Sequence, residues 1–197
     1  MIDIFVKTYF KLFFLLTPFA ATSIFLSMTK GMPSRAKRGI AMRSTAGVLV
    51  ITFVIFFFGR YIFEVFGITL DAFRIGAGTL LMLSAIALIR ETEFYQAGLD
   101  GGDIAVVPLA IPIIVGPGTT GALFLIGAEV DTTSDRIVSS LALLLAVASV
   151  GAILYAAAMM DRFLKPRIMS LLTKVTGLVL ASLAAQLIFT GIKNFLT

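Results

Sequence analysis

The sequence predicts an all-α integral membrane protein with six transmembrane helices, arranged as two inverted three-helix repeats in which helices 1 and 4 are broken. Three observations lead to this prediction: an apolar composition, six long uncharged runs, and prolines that recur at matching places in the two halves. Hydrophobic residues make up 59% of the 197 residues and charged residues 14%. An ordinary globular chain is about half apolar and about a quarter charged, so a soluble fold is excluded.

The six uncharged runs each mark a candidate span. They are 12–29, 44–59, 75–89, 104–128, 137–160 and 175–192. A helix needs about 20 residues to cross the bilayer, so the two longest runs span unaided and the other four recruit flanking residues. The basic residues at the run ends can extend their stems to the interface; they are Lys11, Arg60, Arg74, Arg90, Lys174 and Lys193. The chain is therefore predicted to form a single membrane domain, 1–197.

The distribution of Lys and Arg predicts the topology. Loops 30–43, 90–103 and 161–174 carry ten of the 16 basic residues, Arg162 and Lys165 among them, and the opposite side carries six. Because basic residues concentrate on the cytoplasmic side, these loops are predicted to be cytoplasmic and both termini periplasmic. Basic residues spread between spans do not form the patch that a nucleic acid requires.

Missing residue types exclude most catalytic and metal chemistry. The chain has neither cysteine nor histidine, and no Asp or Glu lies inside any uncharged run. A Ser-His-Asp triad, a zinc site and an intramembrane aspartyl protease are therefore excluded. We expect no enzymatic activity, no metal and no cofactor. No phosphate-binding loop with its lysine is present, which excludes ATP-driven transport by this chain.

A weak internal repeat divides the chain into repeat one, about 1–95, and repeat two, about 103–197. At an offset of 99, Thr17-Pro18 meets Gly116-Pro117, and at an offset of 100 Arg74 meets Lys174, together with matched Leu and Ala positions. Because each repeat holds three spans, an odd number, the second copy is predicted to be inverted. Four glycines in the third spans are predicted close-packing sites: Gly76, Gly78, Gly177 and Gly191.

The first and fourth spans contain prolines that interrupt a helix. Half-helices that begin after these prolines would direct backbone N–H groups and a positive dipole end at an anionic group such as a carboxylate. The predicted substrate-binding residues are Thr17, Pro18, Thr22, Ser23, Gly116, Pro117, Gly118, Thr119, Thr120 and Gln186. The alternatives are a simple packing kink at each break, a helix–helix bond for Gln186, and an ion pair with Asp71 for Arg74 rather than carboxylate steering.

Three segments carry a resemblance to a known family: IFLSMTK at 24–30, FGITLDAFRI at 66–75 and VVPLAIPIIVGPG at 106–118. With these segments the whole chain resembles the MarC family (UPF0056) of bacterial inner-membrane proteins. The resemblance implies six spans, a multi-pass protein of the bacterial inner membrane, and transport of small neutral amino acids. One stretch departs from the family pattern Asn/Asp-Pro-x-Gly-Asn-x-Pro: residues 17–23 read TPFAATS, so only Pro18 matches. If the Asn and Asp groups of the pattern bind substrate or ion in relatives, this chain would bind a different ligand or transport none.

The sequence thus predicts a transporter that moves a small neutral amino acid by alternating access. Its partners would be the lipid bilayer and a small-molecule substrate. A coupling ion, sodium or proton, and a homo-oligomer stay open. The alternative is a non-transporting membrane assembly or regulatory partner, in which the helix breaks serve only packing.

Overall fold

The computed structural model describes residues 2–90, 105–130, 132–160 and 166–196, and within them every regular element is helical. The elements in chain order are α1 (Ile2–Leu15), α2 (Pro18–Met28), α3 (Ser34–Phe66), α4 (Leu70–Arg90), a π-helical segment (Ala105–Ile114), α5 (Pro117–Glu129), α6 (Thr133–Met160) and α7 (Pro166–Leu196). The predicted loop 90–103 beyond Arg90, residue Ile104, and the basic residues Arg162 and Lys165 lie outside the described residues.

Five helical stretches are long and apolar enough to cross a membrane. They are Ile2–Met28, Ser34–Gly59, Leu70–Arg90, Thr133–Met160 and Pro166–Leu196. The all-helical prediction is confirmed at this level. The predicted fourth span is present as two helical pieces, the π-helical segment and α5, so it does not form one continuous apolar helix.

The first span begins earlier than the uncharged run suggested. The run starts at residue 12, whereas α1 starts at Ile2 and continues, with one break, to Met28. Lys11 is therefore an interior residue of the first span and not a residue at its end. Its long apolar stem tolerates this position, which explains why a charge-free window misplaced the start of the helix.

Large apolar side chains cover the outside of the bundle. Phe57, Leu83, Leu145, Leu178 and Phe189 are all exposed. A soluble protein rarely exposes so much contiguous apolar surface, whereas a bilayer solvates it. The interior is also apolar, and each of the helical elements contributes buried apolar residues to one cluster.

Helix packing pairs elements from opposite halves of the chain. Within the described residues, α4 packs along α7 and against α5, α1 packs against α6, and α3 packs against α5, α6 and the π-helical segment. Helix α2 packs against α6 and α7. Exchanging α1, α2, α3 and α4 of the first half for the π-helical segment, α5, α6 and α7 of the second half leaves this pattern of neighbours largely unchanged.

The α4–α7 contact is reciprocal. A Cβ on Gly78 would lie 3.0 Å from the Ala184 carbonyl oxygen, and a Cβ on Gly177 would lie 3.0 Å from the Ala85 carbonyl oxygen. Both glycines therefore let the two helices approach closely, as predicted. Gly191 does the same against the backbone of Asp71. Gly76 does not, because a Cβ there would meet no atom within 4 Å; this part of the prediction is wrong.

Candidate functional site

The first helix break separates α1 from α2 at Leu16 and Thr17. Thr17 adopts the left-handed conformation, with φ of 46° and ψ of 55°, and Pro18 occupies the first turn of α2. Pro18 has no N–H to continue the helix, so the backbone must turn before it. A left-handed β-branched residue is strained. The start of α2 receives no side-chain cap.

The second break separates the π-helical segment from α5 at Val115 and Gly116. The amide of Val115 donates to the carbonyl oxygen of Ala110 at 3.0 Å, a bond that spans five residues. Proline residues in this stretch remove amide donors that a regular α-helix would use. Pro117 restarts the chain as α5, again with no side-chain cap.

The two breaks meet inside the bundle. The Thr119 hydroxyl in the first turn of α5 donates to the carbonyl oxygen of Leu15 at 2.8 Å. Leu15 is the last residue of α1, and the break deprives its carbonyl of an intrahelical amide. A hydroxyl from the second half of the chain thus satisfies a carbonyl exposed by the break in the first half. Both residues are buried.

The structure places the predicted hydroxyl donors in three different situations. Thr119 is bonded across the breaks, and Thr22 donates to the Pro18 carbonyl oxygen within its own helix at 2.7 Å. Ser23 is exposed and Thr120 is half-buried. Within the part of the chain that the structure describes, neither of these last two hydroxyls makes a hydrogen bond, so they are the donors free to meet a solute.

The other predicted residues divide between the breaks and remote positions. Gly116 is half-buried and Pro117 is exposed. Gly118 faces α4, where a Cβ would lie 2.7 Å from the Cα of Leu81, so its role in this arrangement is close packing. Gln186 is exposed on α7. Its amide makes no hydrogen bond within the described residues, so a role for Gln186 in the site stays a prediction.

A cluster of charged and polar residues joins α4, α5 and α7. The Arg74 guanidinium donates from Nε and Nη2 to Oε1 of Glu129, at 3.1 and 2.8 Å, and also pairs with Asp71. Asn194 donates to the same Asp71 oxygen at 3.2 Å. The sequence predicted the Asp71 pair but not Glu129, which is distant in the chain. Lys11 lies within electrostatic range of Glu129 and Arg74.

The remaining polar and open features lie elsewhere. Ser44 and Thr173 bury hydroxyl oxygens that have no hydrogen-bond partner. No group of three or more potential metal-ligating side chains occurs among the described residues. A groove of about 370 Å³ opens between α3 and α6; it is almost entirely apolar, and its lining does not include the breaks. Its residues are Phe53, Phe57, Thr133, Arg136, Ile137, Ser140, Leu141 and Leu144.

The helices and the interrupted spans define a class: a multi-pass integral membrane protein with helix breaks inside the bundle. The family follows from comparison with known proteins. Residues 2–196 match the model of the MarC family integral membrane proteins, and the chain belongs to this family. No solved structure matches the chain significantly.

Relatives from both archaea and bacteria cover nearly the whole chain. A UPF0056 membrane protein of Methanocaldococcus jannaschii is 31% identical over 98% of this chain and 97% of its own length. YhcE of Escherichia coli is 28% identical, over 97% and 93%, and YvbG of Bacillus subtilis is 27% identical, over 98% and 96%. The bacterial relatives point to the inner membrane. A bacterial origin for this chain stays a prediction, since archaeal relatives match equally well.

Proposed function

We propose that this protein is a secondary transporter of a small solute, built from six spans in two inverted repeats, about 1–95 and 103–197. The observation that carries the proposal is the meeting of two broken helices. Each restarts at a proline with an uncapped N-terminus, at Pro18 and at Pro117, and the two breaks are joined by the bond from Thr119 to Leu15. Broken helices at matching places in two repeats are typical of transporter binding sites.

The packing of the third spans supports the inverted repeat. Gly78 packs on Ala184 and Gly177 packs on Ala85. Gly177 follows Gly78 by 99 positions, and Ala184 follows Ala85 by the same 99. This is also the offset that relates Pro18 to Pro117. Helices α4 and α7 run in opposite directions, because a later residue of α4 (Ala85) contacts an earlier residue of α7 (Gly177). A two-fold axis in the membrane plane would produce such a reciprocal contact. Of the two offsets that the sequence comparison gave, 99 and 100, the contacts between α4 and α7 correspond to 99.

The chemistry of the breaks favours a solute with an anionic group. The first amides of α2 and α5 lack intrahelical acceptors, and the helix dipoles place positive ends at Pro18 and Pro117. Ser23 and Thr120 supply uncommitted hydroxyls nearby. We propose a small neutral amino acid as substrate, with its carboxylate at these helix ends. The proposal includes no catalytic step, cofactor or metal.

The described conformation buries most of the residues at the breaks, while Ser23 and Pro117 are exposed. Thr17, Pro18, Thr22, Gly118 and Thr119 are all buried. On the side that the charge distribution predicts to be periplasmic, the ion pair between Arg74 and Glu129 joins the two halves. Alternating access would then require the bond from Thr119 to Leu15 to break as one half rocks against the other. The coupling ion, sodium or proton, and a homo-oligomeric assembly are parts of the proposal that flux and mass measurements decide.

Flux through the purified protein in proteoliposomes tests the proposal. We expect saturable uptake of labelled glycine, alanine or serine, and at least a tenfold loss in Thr120→Val, which removes a free hydroxyl at the second break. Ser182→Ala is the matched control, because that hydroxyl is exposed on α7 and bonds only within its own helix. Gly118 variants are avoided, because any side chain at this position would clash with the backbone of α4.

A second candidate function is a non-transporting assembly or regulatory partner. The close packing at the breaks favours it: Thr22 and Thr119 commit their hydroxyls inside the protein. Absence of saturable flux under proton, sodium and counterflow gradients, from protein shown to be folded, would overturn the transport proposal for these substrates and favour this candidate.

A further inference from the structure

Lys11 is a cation inside a membrane span. It belongs to the stretch Ile2–Met28 and is half-buried against the bundle. Leu15 follows one turn later, on the same face of α1, and its carbonyl oxygen accepts the Thr119 hydroxyl. Lys11 therefore lies one helical turn from the junction of the two breaks and within electrostatic range of Arg74 and Glu129 in the charged cluster.

Lys11 has no direct partner in the described conformation. It lies within electrostatic range of Glu129 and Arg74, but it makes no hydrogen bond or ion pair with any residue in the described ranges. Holding an ammonium group inside a membrane span without a counterion is costly, and such residues characteristically face a cavity or a solute pathway. The unpaired ammonium group of Lys11 is therefore available to a solute.

Glu129 keeps one carboxylate oxygen uncommitted. Both guanidinium bonds from Arg74 reach its Oε1 atom, and the remaining Arg74 contact goes to Asp71. Among the described residues, Oε2 of Glu129 accepts no hydrogen bond, and about a third of the side chain is exposed. An unpaired ammonium group and a half-free carboxylate thus lie near each other at one end of the bundle.

The charge balance of this region favours a zwitterion over a free anion. Lys11 and Arg74 carry two positive charges, and Asp71 and Glu129 carry two negative charges, so the cluster is neutral. A zwitterion adds no net charge to a desolvated site, whereas a free anion or a free cation does. A carboxylate on Lys11 and an ammonium group on Glu129 would satisfy both uncommitted groups at once.

We propose that Lys11 and Glu129 form an outer docking site for a zwitterionic solute, which binds Lys11 through its carboxylate and Glu129 through its ammonium group before it moves to the helix breaks. This inference rests on the proposed transport function and adds a second contact site for the same solute, outside the helix breaks. The pattern of uncharged runs placed Lys11 at a helix end and did not suggest this role.

Competition assays on labelled alanine uptake in proteoliposomes test the docking site. Propionate carries only the carboxylate and ethylamine only the ammonium group. We expect Lys11→Gln to raise the KM for alanine by roughly 10- to 100-fold and to weaken inhibition by propionate, while inhibition by ethylamine stays unchanged. Lys11→Arg should restore inhibition by propionate. Lys7→Gln is the matched control, because Lys7 is exposed on the same helix and pairs with Asp3.

The outcomes separate this inference from the transport proposal. Wild-type uptake with an unchanged KM and unchanged propionate inhibition in Lys11→Gln would overturn the docking site and leave transport intact. If the wild type shows no uptake, thermal unfolding in detergent with added alanine still tests the site, because a bound ligand raises the midpoint. A shift in the wild type and in Lys7→Gln that Lys11→Gln lacks supports it; equal shifts, or none in any of the three proteins, overturn it.

Discussion

The hydroxyl of Thr119 joins the two helix breaks, and Thr119→Val removes it while almost conserving shape. The lost bond is the one to the Leu15 carbonyl oxygen, at 2.8 Å in a buried setting. Valine has the same branching and nearly the same volume as threonine, so packing against the neighbouring helices is retained. The effect therefore reports the hydrogen bond and the carbonyl that loses its partner.

The expected loss of unfolding free energy depends on whether the carbonyl that loses the hydroxyl has another hydrogen-bond donor. Leu15 ends α1, so its buried carbonyl has no intrahelical amide to fall back on. Leaving such a group unsatisfied costs about 1–3 kcal/mol in general, and interhelical bonds measured in a membrane protein reach about 1.7 kcal/mol. We expect Thr119→Val to lower the free energy of unfolding by about 1–2 kcal/mol. The matched control is Thr22→Val, whose hydroxyl bonds the Pro18 carbonyl within α2.

Thr22→Val should cost less than about 0.5 kcal/mol, because the Pro18 carbonyl keeps its helical amide partner. The assay is reversible unfolding in mixed micelles titrated with SDS, followed by circular dichroism since the chain contains no tryptophan. Equal losses in the two variants would refute the reasoning, because they would show that the contact between the breaks contributes no more than an ordinary hydroxyl inside a helix.

Three further predictions use the same unfolding assay or simple labelling. Thr17→Asn should raise stability by about 1 kcal/mol, since asparagine tolerates the left-handed conformation better than a β-branched residue; a loss would contradict the strain at φ 46°. Gly127→Ala places a methyl 2.0 Å from a backbone oxygen of α3 and should cost more than about 2 kcal/mol, whereas Gly76→Ala meets open space and should be neutral or stabilising. Lys30→Cys should react with an impermeant maleimide only from the cytoplasmic side of oriented vesicles, and Ile68→Cys only from the periplasmic side. The opposite pattern would reverse the topology. No native cysteine interferes.

The membrane class and the positions of the helix breaks follow from local chemistry and could be predicted. Each uncharged run overlaps a helix, because a bilayer excludes charge along any segment that crosses it. Pro18 and Pro117 mark the breaks, because a proline cannot donate the amide that an uninterrupted helix needs. These are properties of neighbouring residues, and they require no knowledge of which helices touch. Thr17 is left-handed at the position where the family pattern given above has Asn or Asp, residues that adopt this conformation more readily.

The direction in which each residue faces was decided only by the tertiary structure. In a membrane the lipid-facing and protein-facing sides of a helix are both apolar, so periodicity carries little information about orientation. The exposed position of Gln186 and the contact of Gly118 with α4 could not be deduced for this reason. Lys11 was assigned to a helix end because a charge-free window cannot recognise a lysine whose stem lies within a span.

The contacts that define the candidate site join residues far apart in the chain. Thr119 meets Leu15 and Arg74 meets Glu129, and neither pair leaves a signal in local sequence. The composition and the prolines determined that this chain is a helical membrane protein with two interrupted spans. The packing of one half against the other decided which freed carbonyl is satisfied, which hydroxyls stay available and which lysine lies unpaired, because those depend on contacts between helices rather than on preferences within them.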